Sequence, residues 1–71
     1  MEFNEDLLKT WIEEFKNSDT DVETELEDVR GAISNERIWQ KGETEQELID
    51  MREQNITDLM AYAQWLEEQL V

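Results

Sequence analysis

The sequence predicts an all-α fold in which a short first helix packs on a long antiparallel hairpin of two further helices. Apolar residues recur at three- and four-residue steps in three separate stretches, which is the period of a helix rather than of a strand. The chain has no proline and only two glycines, so little interrupts these stretches. Its 71 residues are enough for one domain, which we assign to residues 1–71.

Helix 1 is predicted from about residue 4 to residue 17, with Asn4 as its N-cap. Its apolar residues follow the helical period and make a narrow, aromatic face: Phe3, Leu7, Leu8, Trp11, Ile12 and Phe15. We expect this face to close over the seam between the two longer helices.

Helix 2 is predicted from about residue 20 to residue 41, with Asp19 or Thr20 as its cap. Its core-facing residues recur at helical spacing: Val22, Leu26, Val29 and Ile33. Ile38 and Trp39 do not continue this stripe, which indicates either a bend in the helix or contact with a second subunit.

Helix 3 is predicted from about residue 44 to residue 70, and begins with a capping box formed by Thr44 and Glu47. It would run roughly 40 Å. Its apolar face is wide: Leu48, Ile49, Ile56, Leu59, Met60, Ala63, Leu66 and Leu70, with Tyr62 and Trp65 on one flank. One partner helix cannot cover a face of this width.

The surplus apolar surface predicts a homo-oligomer, with a dimer favoured, because a core this small is marginal on its own. The predicted interface consists of the apolar residues that the hairpin leaves uncovered: Ile38, Trp39, Met60, Tyr62 and Trp65.

Four polar residues are predicted to meet in the middle of the hairpin. Folding the chain at Gly42 places Ile33 near Arg52 and Arg30 near Asn55. The resulting cluster is Arg30, Arg37, Arg52 and Asn55. Its arginines either pair internally with Glu36, Asp50 or Glu53, or bind a nucleotide-like anion, since guanidinium groups match phosphate geometry.

The net charge of −14 is extreme for this length and is unevenly distributed. Residues 1–28 carry −9, residues 29–42 carry +2 and residues 43–71 carry −7. Six acids crowd the start of helix 2: Asp19, Asp21, Glu23, Glu25, Glu27 and Asp28. They do not form a calcium loop, because the sixth and twelfth positions hold Thr24 and Arg30 instead of glycine and an acid. They are either a solvated helix face or a surface that binds a partner.

Two acidic pairs suggest a catalytic alternative. Glu25-x-x-Asp28 and Glu47-x-x-Asp50 lie on the two long helices, and they resemble in outline the paired magnesium-binding motifs of the all-α nucleotide pyrophosphatases. The resemblance implies two-metal hydrolysis of a nucleoside triphosphate. The first pair departs from the E-x-x-E pattern of that family.

Other classes of function are excluded by composition. The chain has no cysteine and no histidine, which removes disulfides, thiolate metal sites and the commonest general base. We therefore predict no catalytic residues, no metal and no cofactor. No apolar run is long enough to span a membrane, and the acidic start is unlike a signal peptide, so we expect a cytoplasmic protein without membrane contact.

Charge points to a binding protein whose partner is a protein with a basic surface. The phosphate backbone would repel this chain, so direct nucleic-acid binding is disfavoured. Where the basic surface is itself a nucleic-acid groove, the protein would act as a decoy, which is how small acidic inhibitors encoded by bacterial viruses work. One alternative is an oligomer that binds a nucleotide-like anion at the arginine cluster. Another is that the charge only maintains solubility.

Overall fold

The computed structural model describes residues 2–71, so Met1, which the predicted domain includes, lies outside the described residues. This part of the chain folds into three helices and contains no strand. The helices are α1 (Glu5–Lys16), α2 (Val22–Gly42) and α3 (Gln46–Gln69). The predicted all-helical fold, with one short helix and two long ones, is confirmed.

Helices α2 and α3 pack closely along their length as an antiparallel hairpin. Near the turn, the Gln40 side-chain amide donates to the Ile49 carbonyl oxygen at 3.2 Å. The predicted register is wrong, because Asn55 lies 3.5 Å from the Glu36 carboxylate and not beside Arg30. The helices are joined by residues 43–45, so the chain reverses later than a fold at Gly42 would allow.

Helix α1 packs on α3 alone, and less extensively. No Cα atom of α1 lies within 8 Å of one in α2. The side chains of α1 cover the core from the α3 side, as predicted in part, but a groove remains between α1 and α2. Helix α1 runs in the same direction as α3, as shown by the contacts of Asn4 with Asp58, Trp11 with Tyr62 and Phe15 with Trp65.

The core occupies only part of the hairpin. Its buried apolar residues are Leu26, Val29, Ile33, Ile56, Tyr62, Ala63 and Leu66. All lie in what we call the link half of the hairpin, residues 22–33 with 56–69, which is the half next to the α1–α2 link. The turn half, residues 34–42 with 46–55, contains no buried apolar residue. Aromatic and aliphatic side chains of α1 extend the core over the link half.

The three helix starts are capped differently. The predicted cap of α1 is confirmed, since the Asn4 side chain accepts from the Leu7 backbone N–H at 3.1 Å. Helix α2 is capped by Asp21 and not by the predicted Asp19 or Thr20. The Asp21 side chain accepts from the backbone N–H of Thr24 at 2.8 Å. Hydrogen bonds from the backbone and then the side chain of Thr24 hold the pKa of Asp21 below its ordinary value.

The capping box predicted for α3 is wrong. Helix α3 begins at Gln46, so its N-cap is Glu45, and that side chain makes no capping hydrogen bond. Thr44 lies one residue before the cap, and Glu47 is the second helical residue, where the box requires the third.

Candidate binding groove between α1 and α2

The six predicted acids lie at the start of the link half but do not form a single face. Asp19 and Asp21 precede α2, while the other four lie within its first two turns. At about 100° per residue, Glu23 and Glu27 share one side of α2 and Glu25 and Asp28 share the other. The core stripe lies between them. The predicted acidic face is therefore two acidic flanks, and only the flank with Glu25 and Asp28 borders the groove beside α1.

Glu25 is fixed in place by a residue of α3. The Tyr62 hydroxyl donates a hydrogen bond to the Glu25 carboxylate at 2.7 Å. Burial, followed by this hydrogen bond and the charge of Glu25, raises the pKa of Tyr62 far above its ordinary value of 10.0. The phenol therefore remains a neutral donor at physiological pH and holds Glu25 at the wall of the groove.

The groove between α1 and α2 has a volume of about 450 Å³ and joins an apolar floor to an acidic rim. Its apolar lining comes from all three helices: Trp11, Phe15, Val29, Ala32, Leu59 and Tyr62. Its acidic side chains are Glu14 on α1, and Glu25 and Asp28 on α2. Carboxylates of two helices thus border the same aromatic floor.

Aromatic packing orders this floor. The Trp11 and Tyr62 ring centroids lie 5.6 Å apart, and the Tyr62 and Trp65 rings are nearly parallel, with centroids 6.3 Å apart. Phe15 meets Trp65 edge-on at 6.0 Å. Aromatic pairs at these distances stabilise beyond their buried area, so the floor is built before any partner arrives.

Folding also concentrates charge at the link half. The end of α3 brings Glu67 and Glu68 to the same end of the molecule as the acids of residues 13–28, since Arg30 pairs with Glu67 at 3.0 Å. Both members of that ion pair are more than half exposed, so the pair is weak. Lys16 is the other basic residue of this region. Acids from two separate parts of the sequence therefore form one acidic end.

The predicted cluster of Arg30, Arg37, Arg52 and Asn55 is split between two places. Arg52 and Asn55 converge on Glu36, with the Arg52 guanidinium 3.2 Å from its carboxylate. The same guanidinium lies 3.6 Å from Glu43 and 5.0 Å from the centre of the Trp39 ring. The structure thus shows Arg52 paired internally with Glu36, which is one of the two roles predicted for the cluster.

Arg30 and Arg37 lie elsewhere, along a second groove between α2 and α3 on the far side from α1. Arg37 contacts the Met60 sulfur at 3.8 Å. The other predicted acidic partners are engaged by amides, since Asp50 accepts from Gln46, and Glu53 accepts from Gln40. No site therefore brings the three arginines together.

The predicted interface residues fall into three groups. Ile38, Trp39 and Met60 are exposed, at 63%, 51% and 49% of their surface. Trp65 is half-buried against Phe15. Tyr62 is only 4% exposed, so its assignment to the interface is wrong: its ring belongs to the core of the chain itself.

The two acidic pairs that resemble a magnesium site lie far apart. Glu25 is held beside Tyr62, whereas Gln40 contacts Ile49, next to Asp50. Tyr62 lies thirteen positions beyond Ile49 in α3, which corresponds to about 20 Å. Within residues 2–71, no group of three or more acidic side chains is arranged to hold a metal ion.

Sequence reasoning missed Asp58, which is only 5% exposed. Its carboxylate accepts from the Asn4 backbone N–H at 2.7 Å and from the Gln54 side-chain amide at 2.9 Å. In a capping box the third helical residue supplies the carboxylate, but Leu7 occupies that place in α1. Asp58 takes over this role from another helix. The available signal was an acid between Ile56 and Leu59, on the apolar side of α3.

Comparison of the chain with protein-family models, with curated proteins and with solved structures finds no significant match in any of the three. Within the described residues, none of the helices combines the length and the apolar character that a membrane span requires.

Proposed function

We propose that this chain is a non-catalytic binding protein whose acidic link half takes hold of a basic surface on another protein. One observation carries the proposal: folding gathers acids from the α1–α2 link, α2 and the end of α3 at one end, beside a preformed aromatic groove. Concentrated charge of one sign accelerates encounter with a surface of the opposite sign and rejects like-charged partners.

A basic surface that normally binds nucleic acid is the version of this partner that we favour. Duplex DNA presents one charge per about 1.7 Å of axis, and the four acids at residues 23–28 of α2 follow one another at an average of about 2.5 Å along the helix axis. The protein would then compete for the nucleic-acid site as a decoy, in the manner of small acidic inhibitors of bacterial viruses. Such partners would be met in the cytoplasm.

Self-association is a second part of the proposal, and it belongs to the turn half. Ile38, Trp39 and Met51 are exposed there, at some distance from the acidic link half. Two copies that meet through these residues keep their acidic ends apart, which lowers the electrostatic cost of dimer formation. Light scattering at micromolar concentration should give about twice the chain mass of 8.5 kDa; a stable monomer would rule the dimer out.

A charge-reversal experiment tests the binding proposal. The variant changes three exposed acids of the link half to lysine: Asp19→Lys, Glu23→Lys and Glu27→Lys. None of the three accepts a hydrogen bond from another helix, so the fold should be kept. The matched control applies the same change of charge near the turn: Glu45→Lys, Glu47→Lys and Asp50→Lys. Glu23 and Glu47 occupy equivalent positions, each being the second residue of its helix.

The wild type and the control should capture basic nucleic-acid-binding proteins from a lysate of the source cell, whereas the link-half variant should not. Added DNA should displace the captured proteins. Raising the salt until the Debye length falls below about 8 Å should also release them. Equal capture by both variants would show that the acids only maintain solubility.

A further inference from the structure

The arrangement of α1 and α2 is that of a bundle with one position empty. Both helices pack on α3, yet no Cα atom of one approaches within 8 Å of the other. Diagonally opposed helices of a four-helix bundle are related in this way, because the space between them is filled by the other two members. Here α3 fills one side of that space, and the groove occupies the other.

The lining of the groove is suited to the apolar face of a helix. Five of its apolar side chains are large and immobilised by the core, and Ala32 leaves room between α1 and α2. A docked helix presents anchors at positions i, i+3 or i+4, and i+7, and inserts only those side chains into the groove. A volume of about 450 Å³ accommodates such side chains while the backbone of the docked helix stays outside.

Charge excludes a second copy of this chain as the occupant. Helices α1 and α2 each carry a net charge of −2, and α3 carries −5. Any of them placed in the groove would bring its own acids against Glu14, Glu25 and Asp28. A helix with lysine or arginine beside its apolar stripe would instead pair with carboxylates on both rims.

We propose that the groove binds a basic amphipathic helix of the partner protein, which completes a four-helix arrangement. This inference rests on the proposed function and names the part of the partner that is recognised. The α2 residues that line the groove run from Glu25 to Ala32, which is roughly 10 Å, so the docked segment contacts the groove over about two turns. Its apolar anchors face Trp11, Phe15 and Leu59, and its cations face Glu14 and Asp28.

Three synthetic peptides of about 14 residues form the probe set. The first contains leucine at helical spacing with lysine on both flanks, and the second has the same composition in an order that gives no apolar face. The third replaces each lysine of the first with glutamate. Fluorescence anisotropy of labelled peptide measures binding to the full chain, and circular dichroism measures helix gained by the peptide.

Two pairs of variants test the apolar floor and the acidic rim of the groove separately. Ala32→Trp fills the groove without a change of charge, and its control Ala61→Trp places the same side chain along the groove on the other side of the hairpin. Glu14→Gln with Asp28→Asn removes two rim charges, and its control Glu45→Gln with Glu47→Gln removes two exposed charges at the start of α3, near the turn. Far-ultraviolet circular dichroism checks that every variant remains helical.

The first peptide should gain helix on binding and bind at least about tenfold more tightly than the second, since only it can place its anchors on one face. Ala32→Trp and the rim variant should each weaken binding of the first peptide roughly tenfold, whereas their controls should change its affinity by less than about threefold. The glutamate peptide should not bind.

Equal binding of the two lysine peptides, or full binding by the Ala32→Trp variant, would overturn the groove proposal. The chain would then attract cations without docking a helix, and the proposed function would stand. Absence of binding by both lysine peptides at low salt would overturn the groove proposal as well. If the charge-reversal experiment then also showed no dependence on the link-half acids, the proposed function would fail with it.

Discussion

The link half and the turn half of the same hairpin are held together by different interactions. In the link half, Leu26 and Leu66 are 3% and 0% exposed within an apolar core that α1 covers. In the turn half, α2 and α3 are joined by Arg52, Glu36 and Gln40 through ion pairs and hydrogen bonds. The change occurs where α1 begins, near Asp58. A third helix is what allows the hairpin to bury apolar side chains, and without it a polar layer takes their place.

The polar contacts of the turn half should contribute less to the free energy of unfolding than the apolar core does. A partly buried ion pair returns little net free energy, because desolvation offsets most of its attraction. The Nε atom of Arg52 is buried without a hydrogen-bond partner among the described residues, which adds to the desolvation cost. Stability should therefore come from the link half, and geometric specificity from the turn half. The next three predictions test this division, from the largest expected effect to the smallest.

Leu66→Ala should have the largest effect, since Leu66 has no exposed surface and its truncation leaves a cavity. We expect a loss of about 3 kcal/mol in the free energy of unfolding, measured by urea denaturation. The matched truncation in the turn half is Met51→Ala, at a residue that is 46% exposed, and it should change the same quantity by less than about 0.5 kcal/mol. Similar losses for both variants would contradict the division.

Arg52→Met should cost about 2 kcal/mol, because Glu36 would remain largely buried without its cation. Replacing both partners, with Arg52→Met and Glu36→Leu together, should recover most of this loss, as apolar groups of similar volume pack without desolvation. Thermal unfolding of the two single variants and the double variant gives the coupling free energy. Additive losses would show that Arg52 and Glu36 contribute independently to stability.

Tyr62→Phe should have the smallest effect at neutral pH, about 1 kcal/mol for the lost hydrogen bond to Glu25. Because the fold raises the pKa of Tyr62 above its ordinary value of 10.0, the stabilisation is fully present below that pH. It is lost progressively as the pH rises above it. Tyr62 is the only tyrosine in the chain, so the variant should lack this alkaline loss. Parallel curves of stability against pH for both proteins would show that the alkaline loss does not come from Tyr62.

Much of the fold follows from local sequence patterns. Helical spacing of the apolar residues is a property of neighbouring positions, so it located α1, α2 and α3 within about two residues of their ends. The cap at Asn4 is equally local. The failures concern contacts between distant parts of the chain. An error at the turn, around Gly42, shifted the partners of Arg30 and Asn55 and created an arginine cluster that does not exist.

The candidate groove was beyond sequence reasoning for a similar reason. Glu14 was not singled out, because nothing in its neighbourhood shows that it lines the same groove as Asp28. Tyr62 was placed on a flank of α3, although α1 docks on that flank and buries it. The relative position of three helices depends on packing at long range, and periodicity within each helix carries no information about it.

The carboxylate of Asp58 has a consequence for the order in which this protein folds during synthesis. It completes the cap of α1 from 54 positions further along the chain. An isolated helix of 12 residues is marginal in water, so α1 leaves the ribosome first but has to wait for α3. At about 5–20 residues per second, that delay is roughly 3–10 s. Ribosome-bound chains arrested before Asp58 should show unprotected amides throughout α1. During this interval the aromatic face of α1 has no partner, so the first helix to be synthesised is not stable before the third.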